Sequence, residues 1–138
     1  MKQLFVILLI SNFCLAQTKQ LDIEYNNSGV SKIHFVDNPE QAKNLALSDI
    51  QIGKIFVIIH SGKGPIVYLS DSIFENKYNL KFNELGCVGS KFAINYNYEI
   101  FEYLHETFGK KWTKEIRKDA LGFKQWKKNR KKTNFKLK

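Results

Sequence analysis

The apolar stretch Ile55-Phe56-Val57-Ile58-Ile59 decides the fold. It consists of β-branched and aromatic residues without a polar break, and such a run predicts a central strand, from Lys54 to His60, that is buried on both faces. The turn Ser61-Gly62-Lys63-Gly64 follows it directly. Residues Pro65 to Leu69 are therefore predicted to return as a second strand and to form a hairpin with the first.

A strand and a helix are predicted upstream of this central strand. The short apolar segment from Lys32 to Val36 is predicted as a strand. Asn38 is of a residue type that caps helices, Pro39 occupies the first helical position, and Gln41 is placed to complete a capping box. We expect the helix that begins here to end at Gly53.

Downstream of the hairpin, Asp71 or Ser72 is predicted to cap a short helix, Ile73–Tyr78, which leads into a strand from Leu80 to Leu85. The resulting order, β-α-β-β-α-β, matches the ferredoxin-like pattern. The connection formed by residues 71–79 is shorter than the dozen or more residues that a parallel crossover usually needs, so a meander with a helical excursion remains an alternative. The predicted fold class is α+β, with a small sheet of about four strands.

Two amphipathic helices and a basic tail are predicted to follow the sheet. The first helix runs from Ile94 or Tyr96 to Phe108 and ends at Gly109. The second runs from Lys111 to about Lys128, and its apolar stripe consists of Trp112, Ile116, Ala120 and Phe123. Residues 129–138 show no hydrophobic periodicity and are rich in Lys and Arg, which predicts a disordered tail.

The amino terminus has the pattern of a cleavable signal peptide, residues 1–16. Lys2 supplies a positive charge, an apolar core follows, and Ala16 precedes a polar stretch. The apolar part is about 13 residues long, whereas a spanning helix needs about 20. We therefore expect export to the periplasm or the cell exterior, an irregular segment over residues 17–31 and one domain over residues 32–128. Lipidation of Cys14 is the alternative processing.

The cysteine content limits the chemistry of the exported chain. Once Cys14 leaves with the signal peptide, Cys87 is the only cysteine, so neither an internal disulfide nor a Cys-rich zinc site is expected. Cys87 is predicted to be a small buried residue in a turn. A thiol activated by His60 or His34, or an intermolecular disulfide, is the alternative.

Two short motifs carry little chemical information. Glu102 and His105 form a single Glu-x-x-His, whereas helical di-iron sites need two such motifs and two further carboxylates. Lys63 follows a glycine but lacks the spacing of a phosphate-binding loop. The sequence accordingly predicts no catalytic residue, no metal site and no cofactor.

Charge is the most distinctive feature of the sequence. Residues 17–109 contain 8 Lys and Arg against 11 Asp and Glu, whereas residues 110–138 contain 13 against 2. Trp112 and Trp126 bracket the basic helix. Its candidate surface-binding residues are Lys114, Arg117, Lys118, Lys124, Lys127, Lys128, Arg130, Lys131 and Lys132.

Compartment determines which partners the basic end would meet. For an exported protein the nearest anionic partners are membranes, envelope glycans or another exported protein, and nucleic acid is disfavoured. The alternative is a purely structural role, in which Trp112 and Ile116 pack into the domain's own core while the lysines face water. The first functional hypothesis is therefore a binding protein. The others are an inhibitor or immunity-type partner that uses Glu99, Glu102 and Glu106, and a small thiol or hydrolytic enzyme.

Parts of the sequence follow a recurrent pattern. The segments Phe74-Glu75-Asn76-Lys77-Tyr78, Gly86-Cys87 and 108–119, with Phe108-Gly109-Lys110-Lys111-Trp112 at its start, resemble a pattern in short exported proteins of unknown function from AT-rich Gram-negative bacteria. The resemblance covers Ile55 to Gly122. It implies export and a compact domain, and it implies no activity, cofactor or catalytic residue.

Overall fold

The computed structural model describes residues 25–60, 66–86 and 91–136, with only the backbone for residues 133–136. Helices and strands both occur in this part of the chain. The elements are a first 3-10 helix (Val30–Phe35), α1 (Pro39–Gln51), β1 (Phe56–His60), α2 (Leu69–Tyr78), β2 (Lys81–Leu85), α3 (Ala93–Phe108), a second 3-10 helix (Lys111–Lys114) and α4 (Phe123–Lys136). The predicted signal peptide, Cys14 and Cys87 lie outside the described residues.

Strand β1 is the centre of the fold, as its apolar sequence predicts. It pairs in parallel with β2, and Phe56 lies opposite Lys81. On its other edge, the segment around Ala120 runs antiparallel and forms a single bridge with Ile59. The first four residues of β1 are buried and His60 is exposed. The prediction of a buried strand is confirmed, whereas a central place in a sheet of about four strands is not found in the described residues.

The predicted hairpin does not form among the described residues. Residues 66–68 adopt no strand, and Leu69 already belongs to α2. The helix begins early because the Asp71 carboxylate accepts a hydrogen bond from the backbone N–H of Tyr68 at 2.9 Å, as the third residue of the helix rather than as its cap. With the returning strand absent, residues 61–80 are long enough to join β1 and β2 in parallel.

The first predicted strand, Lys32–Val36, is also wrong, because Val30–Phe35 forms a 3-10 helix. A buried carboxylate holds the start of this helix. Asp49, at the end of α1, accepts hydrogen bonds from the backbone N–H groups of Gly29 at 2.5 Å and Val30 at 3.1 Å. Gly29 is required here because a Cβ atom would lie 2.6 Å from the carbonyl oxygen of Leu45. The described sheet therefore has two strands rather than about four, and the ferredoxin-like order is not found in it.

Helices α1 and α3 follow the sequence pattern closely. The Asn38 side chain accepts from the backbone N–H of Gln41 at 2.9 Å, with Pro39 in the first turn, while the side chain of Gln41 accepts from the backbone N–H of Asp37 rather than of Asn38. Gly109 ends α3 with φ of 68°. The two helices pack extensively on each other, and α3 also packs on β1.

The second amphipathic helix, predicted over residues 111–128, is instead divided into three pieces. After the second 3-10 helix, residues 119–121 form backbone hydrogen bonds with β1, with Ala120 as the single bridging residue between two turns, and α4 begins only at Phe123. Asn97 of α3 fixes this segment, since its side-chain amide donates to the carbonyl oxygens of Ile58 at 2.7 Å and Leu121 at 2.9 Å. The predicted apolar stripe of Trp112, Ile116, Ala120 and Phe123 is nevertheless buried.

The basic tail is also partly regular. Residues 129–138 were expected to be disordered from their composition, whereas α4 continues through them to Lys136. Residues 137–138 lie outside the described part of the chain. The lysines of this segment are therefore carried on a helix, which sets their spacing.

Candidate functional site

Four aromatic side chains attach α4 to the rest of the domain. Phe123 and Trp126, from the first turns of α4, lie against Phe101 of α3 and Trp112 of the second 3-10 helix, with ring centroids 5.2 to 6.1 Å apart. Trp112 is fully buried and Trp126 is almost so. Because this face of α4 is used by the core, neither tryptophan can insert into a membrane, and the charged face of the helix is the face left outward.

A carboxylate on α3 fixes the rotation of α4. Glu102 accepts a hydrogen bond from the indole N–H of Trp126 at 2.7 Å and forms an ion pair with the guanidinium of Arg130. Trp126 and Arg130 are four residues apart and therefore lie on one side of the helix. Arg130 also lies over the Trp126 ring, 5.7 Å from its centroid. The side of α4 that carries Arg130 is thereby set against α3.

A cavity of about 170 Å³ lies beside this contact. Its lining comes from three parts of the chain that follow one another around the end of α3. The lining residues are His105 on α3, Lys110 and Thr113 around the second 3-10 helix, and Trp126, Lys127, Arg130 and Lys131 on α4. We call this cavity the basic pocket. Since a bound water needs only about 10–15 Å³ of such space, the basic pocket has room for a small polar ligand.

Three of the four cations around the basic pocket lack a carboxylate partner. Arg130 is paired with Glu102, whereas Lys110, Lys127 and Lys131 form no ion pair among the described residues. Lys127 lies over the Phe123 ring, 5.5 Å from its centroid, which places its charge over the aromatic cluster. Like charges held around one cavity raise the local positive potential, and that potential attracts anions.

Two side chains that line the basic pocket each have a buried polar atom without a protein partner. These atoms are Nδ1 of His105 and Nε of Arg130, neither of which has a hydrogen-bond partner within the described residues. Burial lowers the pKa of His105 below its ordinary value, and the charge of Arg130 lowers it further. Buried polar atoms normally find a partner, so each one left without a partner calls for an explanation.

The structure brings together only part of the predicted basic set. Lys127, Arg130 and Lys131 line the basic pocket, while the other exposed members of the set lie on the surface outside its lining. These other members are Lys114, Lys118, Lys124, Lys128 and Lys132. Residues 127, 130 and 131 share a face only because the helix continues past residue 128, into the segment that was predicted to be disordered. His105, Lys110 and Thr113 were missed because a chain reversal after α3, rather than sequence proximity, brings them to α4.

Arg117 does not belong to the basic surface, and its prediction as a surface-binding residue is wrong. Its side chain is 7% exposed. It donates to Asp71 at 2.8 Å, to both carboxylate oxygens of Asp119 at 2.7 and 3.0 Å, and to the carbonyl oxygen of Ile66 at 2.8 Å. The hydrogen bonds from Arg117 lower the pKa of Asp119, whereas the carboxylates raise the pKa of Arg117. This guanidinium binds its own chain.

A second cavity, of about 500 Å³, lies next to Arg117 at the carboxyl ends of the parallel strands. Ligands commonly bind at this edge of parallel sheets. Its exposed rim is apolar and includes Ile66, Val67 and Leu69. The guanidinium donors of Arg117 are directed to protein oxygens, and Asp71 Oδ1 is buried without a partner within the described residues. The Arg117 guanidinium is therefore already bound by the protein's own acceptors and is not free to bind a ligand in this cavity.

The remaining candidate groups are not assembled. His34 and His60 are exposed, and Cys87 lies outside the described residues, so their predicted pairing stays untested. Glu102 of the Glu-x-x-His motif is used by Trp126 and Arg130. Within the described ranges, no three His, Cys, Asp or Glu side chains converge on a point that could hold a metal ion.

Comparison with known proteins adds no functional information. No protein family, curated protein or solved structure matches this chain. Over residues 25–60, 66–86 and 91–136, no helix combines the length and the apolar character that crossing a bilayer requires.

Proposed function

We propose that this protein is an exported, non-enzymatic binding protein that contacts an anionic phospholipid surface through the basic outward side of α4. The observation that carries the proposal is the position of α4. Its aromatic side packs in the core, its outward side presents the exposed Lys128, Lys131 and Lys132, and Lys127 lies half-buried at the edge between the two sides. A rigid helix presents these charges together, and each Lys or Arg near an anionic membrane contributes about 1 kcal/mol.

Export is part of this proposal. It rests on the signal-peptide pattern of residues 1–16 and on the resemblance of residues 55–122 to short exported proteins. In that compartment, phospholipid headgroups form an extended anionic surface close to the protein. Anionic glycans are the competing surface.

The acidic side of α3 gives less support to an inhibitor or immunity-type function. Glu99 lies 3.7 Å from Lys43, and Glu102 is held by α4, so two of the three carboxylates in that hypothesis already have partners in the same chain. Glu106 is exposed. A thiol enzyme would need Cys87 beside a histidine, and because Cys87 lies outside the described residues this hypothesis stays untested.

Vesicle co-sedimentation tests the proposal. The full exported chain is mixed with phosphatidylcholine vesicles that contain or lack phosphatidylglycerol, at low and high salt. We expect binding only with phosphatidylglycerol and its loss at high salt, because salt screens exposed charges.

Three double variants with the same change in net charge identify the contacting face. Lys127→Gln/Lys131→Gln and Lys128→Gln/Lys132→Gln each remove two charges from α4, and about 2 kcal/mol predicts roughly 30-fold weaker binding. Lys32→Gln/Lys91→Gln removes two exposed charges elsewhere and should have a much smaller effect. Equal losses for all three variants would refute a face on α4. If the protein is retained by an anionic polysaccharide but not by vesicles, the surface that it contacts is a glycan rather than a phospholipid.

A further inference from the structure

We propose that the basic pocket is a discrete binding site for a phosphate monoester, either free or carried on a lipid headgroup. The proposal rests on the proposed function for its biological setting, and on the geometry of the pocket for its chemistry. The pocket is distinct from a general basic surface because it is concave and is lined from three successive parts of the chain.

The positive charge of the residues that line the basic pocket favours an anion as the ligand. Lys110, Lys127 and Lys131 form no ion pair among the described residues, and the paired Arg130 adds a fourth cation. A monoester carries a charge of about −1.5 to −2 at neutral pH and three strong acceptor oxygens, whereas a phosphodiester carries one charge. Several cations around one small cavity therefore favour the monoester.

The unpartnered polar atoms give the second observation. Arg130 and His105 both line the cavity, and Nε of Arg130 and Nδ1 of His105 are buried with no partner in the described residues. Arginine can only donate, and protonated histidine donates from both ring nitrogens. A tetrahedral oxyanion is a ligand that accepts hydrogen bonds in several directions, and it would supply acceptors to both side chains.

His105 provides a reporter that lies inside the site. The groups that act on its charge come from every element around it: Arg130 of α4 and Lys110 lower its pKa, while Glu102 and Glu106 of α3 raise it. Lys127 and Lys131 line the cavity with it. A bound dianion favours the protonated imidazole, so it raises the pKa of His105. His34 and His60 are exposed elsewhere and serve as internal controls.

The experiment is a pH titration of the three imidazole groups by NMR, with inorganic phosphate and glycerol phosphate as free monoesters. We expect the monoesters to raise the pKa of His105 while those of His34 and His60 stay unchanged, and chloride at equal ionic strength to leave all three unchanged. Equal shifts at all three histidines, or no shift at His105, would mean that the pocket does not bind the anion.

Paired variants on α4 separate the pocket from the surface. Lys127→Gln/Lys131→Gln should weaken phosphate binding about tenfold or more, since charge-assisted hydrogen bonds are lost. Lys128→Gln/Lys132→Gln, on the same helix but outside the pocket lining, should leave it within about twofold. An equal loss in both variants overturns the discrete site. An unchanged amide spectrum confirms that each variant is folded.

Two kinds of vesicle distinguish a free ligand from a lipid headgroup. One contains phosphatidic acid, a monoester lipid, and the other contains phosphatidylglycerol, a diester lipid, at the same surface charge. Preference for phosphatidic acid that disappears in Lys127→Gln/Lys131→Gln assigns the lipid headgroup to the pocket. A shift of His105 with free phosphate but no binding to either vesicle supports the pocket and rejects the membrane function. Binding to both vesicles in proportion to charge, with no response of His105, supports the membrane function and rejects the pocket.

Discussion

Replacing Arg117 with Ala should destabilise the domain strongly. The substitution leaves Asp71, whose side chain is 9% exposed, as a buried carboxylate without its cation. It also removes the hydrogen bond to the carbonyl oxygen of Ile66 and the contact with the Tyr68 ring, 4.8 Å from the guanidinium. Removing one partner of a buried ion pair costs about 3–5 kcal/mol. The pairing with Asp119 adds little, because that carboxylate is 36% exposed.

The expected loss is therefore about 3–4 kcal/mol in the free energy of unfolding, which is a large part of the stability of a typical domain. Urea denaturation measures it, with the exposed neighbour Lys118→Ala as the control, which should stay within about 0.5 kcal/mol of the unaltered protein. Asp71→Asn should restore part of the loss in the Arg117→Ala background, as a double-mutant cycle would reveal. A loss below about 1 kcal/mol for Arg117→Ala, or no coupling to Asp71, would refute the structural role.

Three further predictions concern polar groups that hold the fold. Asn97→Ala should cost about 3 kcal/mol in urea denaturation, because the N–H of Ile58 and the carbonyl oxygen of Leu121 lose a buried side-chain partner and the carbonyl oxygen of Ile58 keeps only the N–H of Leu121. Tyr96→Phe should cost about 2 kcal/mol by the same measurement, since it removes the hydroxyl that donates to the Asp49 carboxylate at 2.6 Å. Stability should fall as the pH drops through the ordinary pKa of Asp119 towards its lowered folded value, because the unfolded chain takes up the proton first; Asp119→Asn should reduce this acid sensitivity.

Local sequence rules predicted the elements whose determinants lie close together in the chain. The Asn38-Pro39 start of α1, the Gly109 end of α3 and the buried strand around Val57 are set by residues within a turn or a strand of each other. The first 3-10 helix depends instead on Asp49, about 20 residues away in the chain. Asp49 lies too far along the chain to enter a local pattern of apolar and polar residues. The apolar residues near Ile33 therefore indicated a strand.

The segment after α3 shows why an apolar stripe is not sufficient evidence for a helix. Trp112, Ile116 and Ala120 have helical spacing and are buried, as predicted. The chain nevertheless leaves the predicted helix at Ala120, because Ala120 bridges to the edge of β1 and the side-chain amide of Asn97 donates to the carbonyl oxygen of Leu121. An open sheet edge offers backbone hydrogen bonds that compete with those of a helix. The spacing of apolar residues gives no information about that competition.

Arg117 and Arg130 differ in burial, although a count of basic residues includes both. Arg117 and Arg130 both lie in the basic carboxy-terminal region, and both pair with carboxylates. The Arg117 side chain is 7% exposed and is surrounded by protein acceptors, whereas that of Arg130 is 30% exposed, lines a cavity and keeps Nε without a partner in the described chain. A count of charges therefore overstates the cations that a ligand can reach. Because Trp126 and Arg130 share the Glu102 carboxylate, the contact that docks α4 is also the contact that holds one side of the basic pocket in place. The pocket can then keep its shape only while α4 stays docked on the aromatic cluster, so an anion that binds there stabilises the docked helix by linkage.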